Sequence, residues 1–463
     1  MGGLPKKQTL LTQQGFDPAT MLLVDAGAPL FDKLPIPPGR SGEQAKINAE
    51  GIVAAYNRMG YHAVGVSPND LGGGLDFLQQ QAKVSSFTWL SANLVDARNT
   101  PFFSPSLVLE RNGLRIGIIG LTGNDNSPPG KTDPGYRILS WEEALPKIMA
   151  ELRPHTDFII LLSSAGAEEN KKISHQFEDI HLLVHSTRQA HNIPPVLQGN
   201  TLICQTERRG KYLGKIAITW NDSGKWEDHG QDDALLKKQE HDRLAWQLDR
   251  IQQKGDPEVI FKDKPATLNA YRKIAERMKS LEQEIRLAEE KKKENPAGST
   301  YENRFLEIAV SLADDQEIAA INKETRKKIN TMGRQVTDQL GLPGYAGSQS
   351  CFECHREISD TWQQSRHGRA YQTLVDKNQQ FNASCLYCHV TGVSRQDQVM
   401  ALTLPENLRN VGCESCHGPG LLHTSDPAKQ KLAAKPAADI CLLCHVPEHD
   451  DSFEYSRDSK LVH

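Results

Sequence analysis

CFECH (351–355), CLYCH (385–389), CESCH (413–417) and CLLCH (441–445) repeat one pattern within the last quarter of a 463-residue chain. Each has two cysteines separated by two residues, with a histidine directly after the second. Composition alone predicts only about 0.006 copies of C-x-x-C-H in such a chain, so the repetition is not accidental. Two thiols at this spacing reach the two vinyl groups of a haem, and the next histidine falls under the iron. On this reading Cys351, Cys354, Cys385, Cys388, Cys413, Cys416, Cys441 and Cys444 attach four c-type haems. His355, His389, His417 and His445 are then the proximal ligands. Zinc is the rival, because paired C-x-x-C units also build zinc ribbons, usually with about 15–20 residues between pairs. Here the intervals are 30, 24 and 24 residues, and each pair carries a histidine that a four-cysteine zinc site does not use.

Each iron also takes a sixth ligand. Met400 is the one methionine of this region, so methionine cannot serve several irons. The histidines outside the pentapeptides are His367, His423, His449 and His463, which makes them the candidate distal ligands. An iron left without one would be a possible substrate site.

Outward from these motifs, residues 341–463 have little aliphatic periodicity, and a mostly helical or irregular region built around macrocycles is expected. Residues 231–340 begin with two charged helical patterns joined by KGDPEVIFKDKP. Tyr271, Ile274, Met278, Leu281 and Ile285 follow a 3-4-3-4 spacing, the stripe of an antiparallel helical arm. A short strand near 303–312 and a further helix ending near Gly333 complete that region. Residues 1–230 alternate strand-like runs (21–26, 62–66, 87–94, 158–164) with helical patterns (43–60, 141–153), as in an α/β domain with a mixed sheet. Asn112-Gly113 between two alternating runs predicts a tight hairpin.

The formal charge of −4 gives no basic field for nucleic acid, and no apolar run is long enough to span a membrane. Eight of the nine cysteines serve the pentapeptides; Cys204 is expected as a buried strand thiol.

With these residues in view, GYAGSQSCFECHREISDTWQQSRHGRAYQTLV, QFNASCLYCHVTG, NVGCESCHGPGLLH and CLLCHVPEHDDSFEY resemble the tetrahaem cytochrome c-554 family over about 344–463. The resemblance implies distal ligation by His367, in W-x-x-S-x-H, and by His423, after G-P-G, with single electrons passed along closely stacked haems. It also implies export, since c-type haems are attached outside the bacterial cytoplasm. A signal upstream of Met1 and a periplasmic or extracellular location are therefore expected.

Residues 2–220 are similar to the metallophosphoesterase domain of bacterial 5′-nucleotidases, through GGLPKKQTLL, MGYHAVGVSPNDLGGGLDFL, FTWLSANL, NGLRIGIIGLTG and GKYLGKIAITW. A sandwich of two sheets with helices outside is implied. The ligand positions depart from that family. Ala28 stands where a metal-binding aspartate is expected, Pro68 and Asn69 replace the Asn-His pair, and Ser164 replaces a histidine. The Gly-His-x-His pair is reduced to His185 and Thr187, and the metal-binding first strand is not in this chain. Two metals need most of their ligands, so phosphoesterase activity is not expected.

The expected whole is an α/β metallophosphoesterase-like sandwich (1–230), a helical arm (231–340) and a multihaem cytochrome c domain (341–463). Electron transfer is the leading function, with redox partner proteins (other cytochromes, a reductase or an oxidase) and a possible homo-oligomer. The alternative is an oxidoreductase acting on a small nitrogen or sulfur compound at an open iron. A nucleotide-sensing protein with a redox tail is a third class, and it would need nucleotide affinity within 1–230.

Overall fold

The computed structural model describes residues 3–32, 34–37, 39–124, 135–186, 192–207, 210–221, 223–226, 233–252, 255–262, 265–291, 298–334, 344–393, 405–446, 449–450 and 452–462. In chain order the strands are β1 (Val24–Asp25), β2 (Ala63–Gly65), β3 (Thr88–Leu90), β4 (Leu94–Val95), β5 (Ser106–Arg111), β6 (Leu114–Leu121) and β7 (Arg137–Ile138). They continue with β8 (Phe158–Ser163), β9 (Leu182–His185), β10 (Ile193–Gln198), β11 (Thr201–Gln205), β12 (Tyr212–Thr219) and β13 (Thr300–Glu307). The helices of this part are α1 (Gly3–Gln13), α2 (Arg40–Met59), α3 (Leu75–Val84), α4 (Trp141–Leu152), α5 (Ala167–Gln176), α6 (Asp233–Gln252), α7 (Pro257–Ile260), α8 (Pro265–Lys291) and α9 (Gln316–Arg334).

Strands β1, β2 and β3 form one parallel sheet, and a six-stranded mixed sheet runs in the order β10-β11-β9-β8-β6-β5. Its centre is parallel and both edges are antiparallel. Every residue of β8 is buried, as the central strand of a doubly covered sheet must be. Side chains alternate between faces. Ile118, Ile160 and Leu162 meet Ala63 and Leu90 of the smaller sheet, whereas Ile119, Leu121, Ile159 and Leu161 meet Leu145 and Met149 of α4 and Ile173 of α5. Val64 and Trp89 turn the other way, towards α2 and α3. Four layers result: helices, sheet, sheet, helices. The two sheets approach so closely that a Cβ at Gly120 would collide with the Leu90 carbonyl.

The expected hairpin joins β5 to β6, pairing Arg111 with Leu114. Asn112 (φ 51°) and Gly113 (φ 81°) are both left-handed, the type I′ geometry that this dipeptide favours.

Helices α6 and α8 lie antiparallel, since Gln252 bonds Tyr271 at 3.0 Å while Glu240 holds Arg277 at 2.9 Å. Leu244, Leu248 and Leu281 are buried between them. The elements after the arm return to the first body. β13 pairs with β12 over eight residues, from Tyr212↔Glu307 to Thr219↔Thr300, and α9 buries Ile318 against α1 and α2. Residues 300–334, grouped with the arm on sequence, thus complete the sandwich. An amphipathic stripe shows that a helix is covered but not by what.

The remainder is short helices: α10 (Gln349–Phe352), α11 (Arg356–Gln364), α12 (Ala370–Asp376), α13 (Ala383–His389), α14 (Cys413–His417), α15 (Leu421–Ser425), α16 (Ala438–Leu442) and α17 (Tyr455–Asp458). Among the described residues their buried apolar cluster consists of Leu374, Leu386 and Val390. This region is bolted to the sandwich. The buried Gln44 of α2 donates to the Phe381 carbonyl (2.7 Å) and accepts from Ala383 N (2.9 Å), at the start of α13. Asn330 of α9 donates to Asn378 O at 2.9 Å. Among the described residues, no helix is long and apolar enough to cross a membrane.

Candidate functional site

Two places hold the residues singled out by the sequence. The first lies where the parallel strands end. Asp70 is fully buried, and its carboxylate accepts from Ser67 N (2.9 Å), Ser67 Oγ (2.8 Å), Ala28 N (2.9 Å) and Leu30 N (3.2 Å). It ties the loop after β1 to the loop after β2, and burial pushes its pKa up to about 6. Around it, Thr122 donates to the Val66 carbonyl (2.8 Å), Ser186 donates to Gly27 O (2.9 Å), and Ser164 accepts from Gly123 N (2.9 Å). The His185 Nε2–H donates to Ala165 O at 2.8 Å, so the one retained imidazole is engaged by backbone. Ala28, Pro68, Asn69 and Ser164 lie in or beside these loops, and Thr187 lies outside the described residues. Hydroxyls and peptide groups thus satisfy one another here. No group of three or more His, Cys, Asp or Glu side chains with metal-site geometry occurs among the described residues.

The second place is the four pentapeptides. The first runs through α10 to His355 at the head of α11, the second ends α13, the third is α14, and the fourth ends α16. Glu414, between the third pair of cysteines, is buried, and its carboxylate accepts from Ala346 N (2.8 Å), Gly347 N (2.7 Å) and Gly420 N (2.7 Å). It therefore clamps the lead-in of the first motif onto the third. Trp362 Nε1 donates to Val411 O (2.9 Å), and Ser348 Oγ accepts from Cys413 N (3.2 Å). Sequence gave no sign of Glu414, since a glutamate between two cysteines looks like a surface residue.

Contacts between motifs place them in a series. The Cys351 and Cys413 thiols are in hydrogen-bonding contact, which holds Cys413 down to about 6 and, with burial, pushes Cys351 well up. Cys416 feels the charge of Cys441, though burial dominates in pushing it up to about 11. Cys444 Sγ contacts the Tyr387 carbonyl, inside the second motif, at 4.0 Å. The order in space is 351–355, 413–417, 441–445, 385–389.

Three of the pentapeptide imidazoles have a hydrogen-bond partner on Nδ1. Nδ1–H of His389 donates to Ala370 O (2.8 Å), that of His417 to Ala433 O (2.6 Å), and that of His445 to Asp450 Oδ2 (2.8 Å). His423 donates from Nδ1 to Gln430 O at 2.7 Å. A partner on Nδ1 fixes the tautomer and leaves the Nε2 lone pair for a metal. His367 faces His445 with ring centroids 6.0 Å apart and planes at 74°. An imidazole nitrogen sits about 2 Å from a metal it ligates, so two rings across one iron have centroids roughly 6 Å apart. Burial, with His445 adding to it, holds His367 below its usual value and hence neutral. Leu421, Leu422, Leu442 and Leu443 stay at least half exposed beside the motifs, as expected of side chains that pack on a macrocycle. The residues fit covalent haem. His449 is exposed on the turn before Asp450, and His463 lies outside the described residues. Cys204 is buried in β11, and burial pushes its thiol well up.

Fold and motifs together set a C-terminal region with four C-x-x-C-H pentapeptides beside an α/β body of two sheets. Residues 350–418 match the family described as Cytochrome c554 and c-prime. Cytochrome c-554 of Nitrosomonas europaea is 29% identical over 104 residues, 19% of this chain and 44% of that protein. The protein UshA of Yersinia enterocolitica is 24% identical over 204 residues, 36% of this chain and 37% of that protein. A Thermus thermophilus 5′-nucleotidase precursor superposes with a TM-score of 0.46 at 17% identity, over 79% of this chain and 62% of that one. The C-terminal part of the chain thus matches a cytochrome c554 family model, and its N-terminal part is similar to 5′-nucleotidases. It spans about a third of the length of the nucleotidase relatives it matches.

Proposed function

We propose that the protein is an exported electron carrier with four covalent c-type haems, held by the eight pentapeptide cysteines and by His355, His389, His417 and His445. Bound haem supplies reversible one-electron exchange at its iron. The chain supplies attachment, axial ligands and order. The observation that carries this reading is the fourfold C-x-x-C-H repeat, with Nδ1 of His389, His417 and His445 each held by a hydrogen bond and the first motif's lead-in clamped onto the third. His367 serves the iron above His445, and His423 is a second distal ligand. The sandwich acts as a docking and orienting body for redox partner proteins rather than as a phosphoesterase, because hydroxyl–peptide bonds occupy its ligand positions.

Mass spectrometry of the matured protein, followed by a redox titration with electron paramagnetic resonance, tests the proposal. The expected result is four haem masses and four one-electron waves. An unmodified polypeptide mass overturns it, and a high-spin iron that binds nitric oxide would favour the oxidoreductase reading.

A further inference from the structure

The proximal histidines described above differ in what they lean on. Nδ1 of His389 and of His417 meets a neutral peptide carbonyl, Ala370 O and Ala433 O. Nδ1 of His445 meets the carboxylate of Asp450 at 2.8 Å, with both side chains about one-third exposed. The contact is built. The His445 ring stacks on Phe453 at 4.4 Å and 20°, and Ser452 Oγ donates to the other Asp450 oxygen at 3.3 Å. Tyr455 Oη donates to Pro436 O at 2.5 Å, and Arg457 donates to Ser452 O at 2.6 Å, which fastens this segment to the approach of α16.

A carboxylate acceptor draws the Nδ1 proton further from the ring than a carbonyl does, so Nε2 becomes a stronger donor to its metal. Its negative charge also favours the more positive oxidation state close by. Both effects lower a reduction potential, and hydrogen bonding around axial ligands is one of the levers that sets haem potentials. Resting on the haem reading above, we propose that Asp450 is a positioning residue that gives the haem attached at 441–445 a lower potential than those at 385–389 and 413–417. Because 441–445 lies between those two motifs in space, the low-potential site falls inside the series rather than at its end.

The test uses the full-length, haem-loaded protein. Loading is checked first by mass: the wild type carries four haems, and Cys441→Ala/Cys444→Ala carries one fewer. A failure there removes the haem reading itself. With loading established, Asp450→Asn is titrated by spectroelectrochemistry. One wave is expected to move at least tenfold towards the reduced form, about 59 mV for a one-electron couple, while the others hold. The same haem's paramagnetic resonance signal should shift. Four unmoved waves in a fully loaded Asp450→Asn protein overturn the proposal and leave the haem reading standing. If that variant matures with fewer haems, Asp450→Glu and Ser452→Ala take its place. The longer carboxylate should raise the wave, and loss of the hydroxyl that shares the carboxylate's charge should lower it. No movement in either overturns the proposal.

Discussion

The sandwich and the cytochrome region solve the same problem with different materials. In the sandwich Leu78, Leu90, Leu94, Ile118, Leu161 and Ile173 are fully buried in three apolar clusters. Among the described residues of the cytochrome region the corresponding cluster has three members. The polar groups differ as well. In the sandwich, hydroxyls and peptide groups bond one another around Asp70, whereas the other region carries four C-x-x-C-H motifs and, among the described residues, few buried apolar side chains. The lesson is that one end of the chain builds its interior from side chains, while among the described residues the other end buries few of them.

Removing a haem breaks this contrast most severely. Cys388→Ala should lose one covalent haem and leave residues 344–462 open to protease while the sandwich stays resistant. Limited proteolysis with mass readout checks it, and a resistant fragment lacking that haem would show that side chains suffice. Next in size is Glu414→Ala, which strands three buried peptide N–H groups and should cost about 3 kcal/mol in the cytochrome region. Denaturation followed at the haem bands should show the loss, with tryptophan fluorescence from the sandwich unchanged. Gln44→Ala sharpens the comparison where the regions meet. It removes two hydrogen bonds and should cost about 1–2 kcal/mol, separating a single melting transition into two in a calorimeter.

The smallest effect is one of pH. Burial holds His181 down to about 4 and lifts Asp70 to about 6. For His181 the unfolded chain binds the extra proton, so stability falls as pH drops from 6.5 towards 4. For Asp70 the folded chain binds it, so stability rises over the same fall, and the two oppose. His181→Gln removes one side of the balance while keeping an acceptor for Ile159 N. The sandwich of that variant should gain stability between pH 6 and 4, where the wild type is nearly flat. A loss in urea titrations across that window would contradict the assignment.

How far these features were visible in the sequence depended on their range. The pentapeptides and Asn112-Gly113 are local, and local geometry is written in adjacent residues. Fully buried runs such as FIILLS carry their own signal. The β12–β13 ladder joins residues about 90 apart, and nothing in an alternating octapeptide names its partner. Glu414, Gln44 and Asp450 escaped for another reason. They are ordinary polar residues whose importance comes from one backbone or ring atom brought to them by the fold. The histidine beside Asp450 drew attention as a ligand candidate, while the carboxylate next to it makes the contact with His445.

The amide of Gln44 has a consequence for assembly. A polypeptide emerges from its N-terminus first, and early domains fold before late ones are made. Helix α2 precedes Phe381 and Ala383 by more than 300 residues, yet its carboxamide bonds both of their backbones. One side chain of the sandwich thereby sets where the helix carrying CLYCH begins.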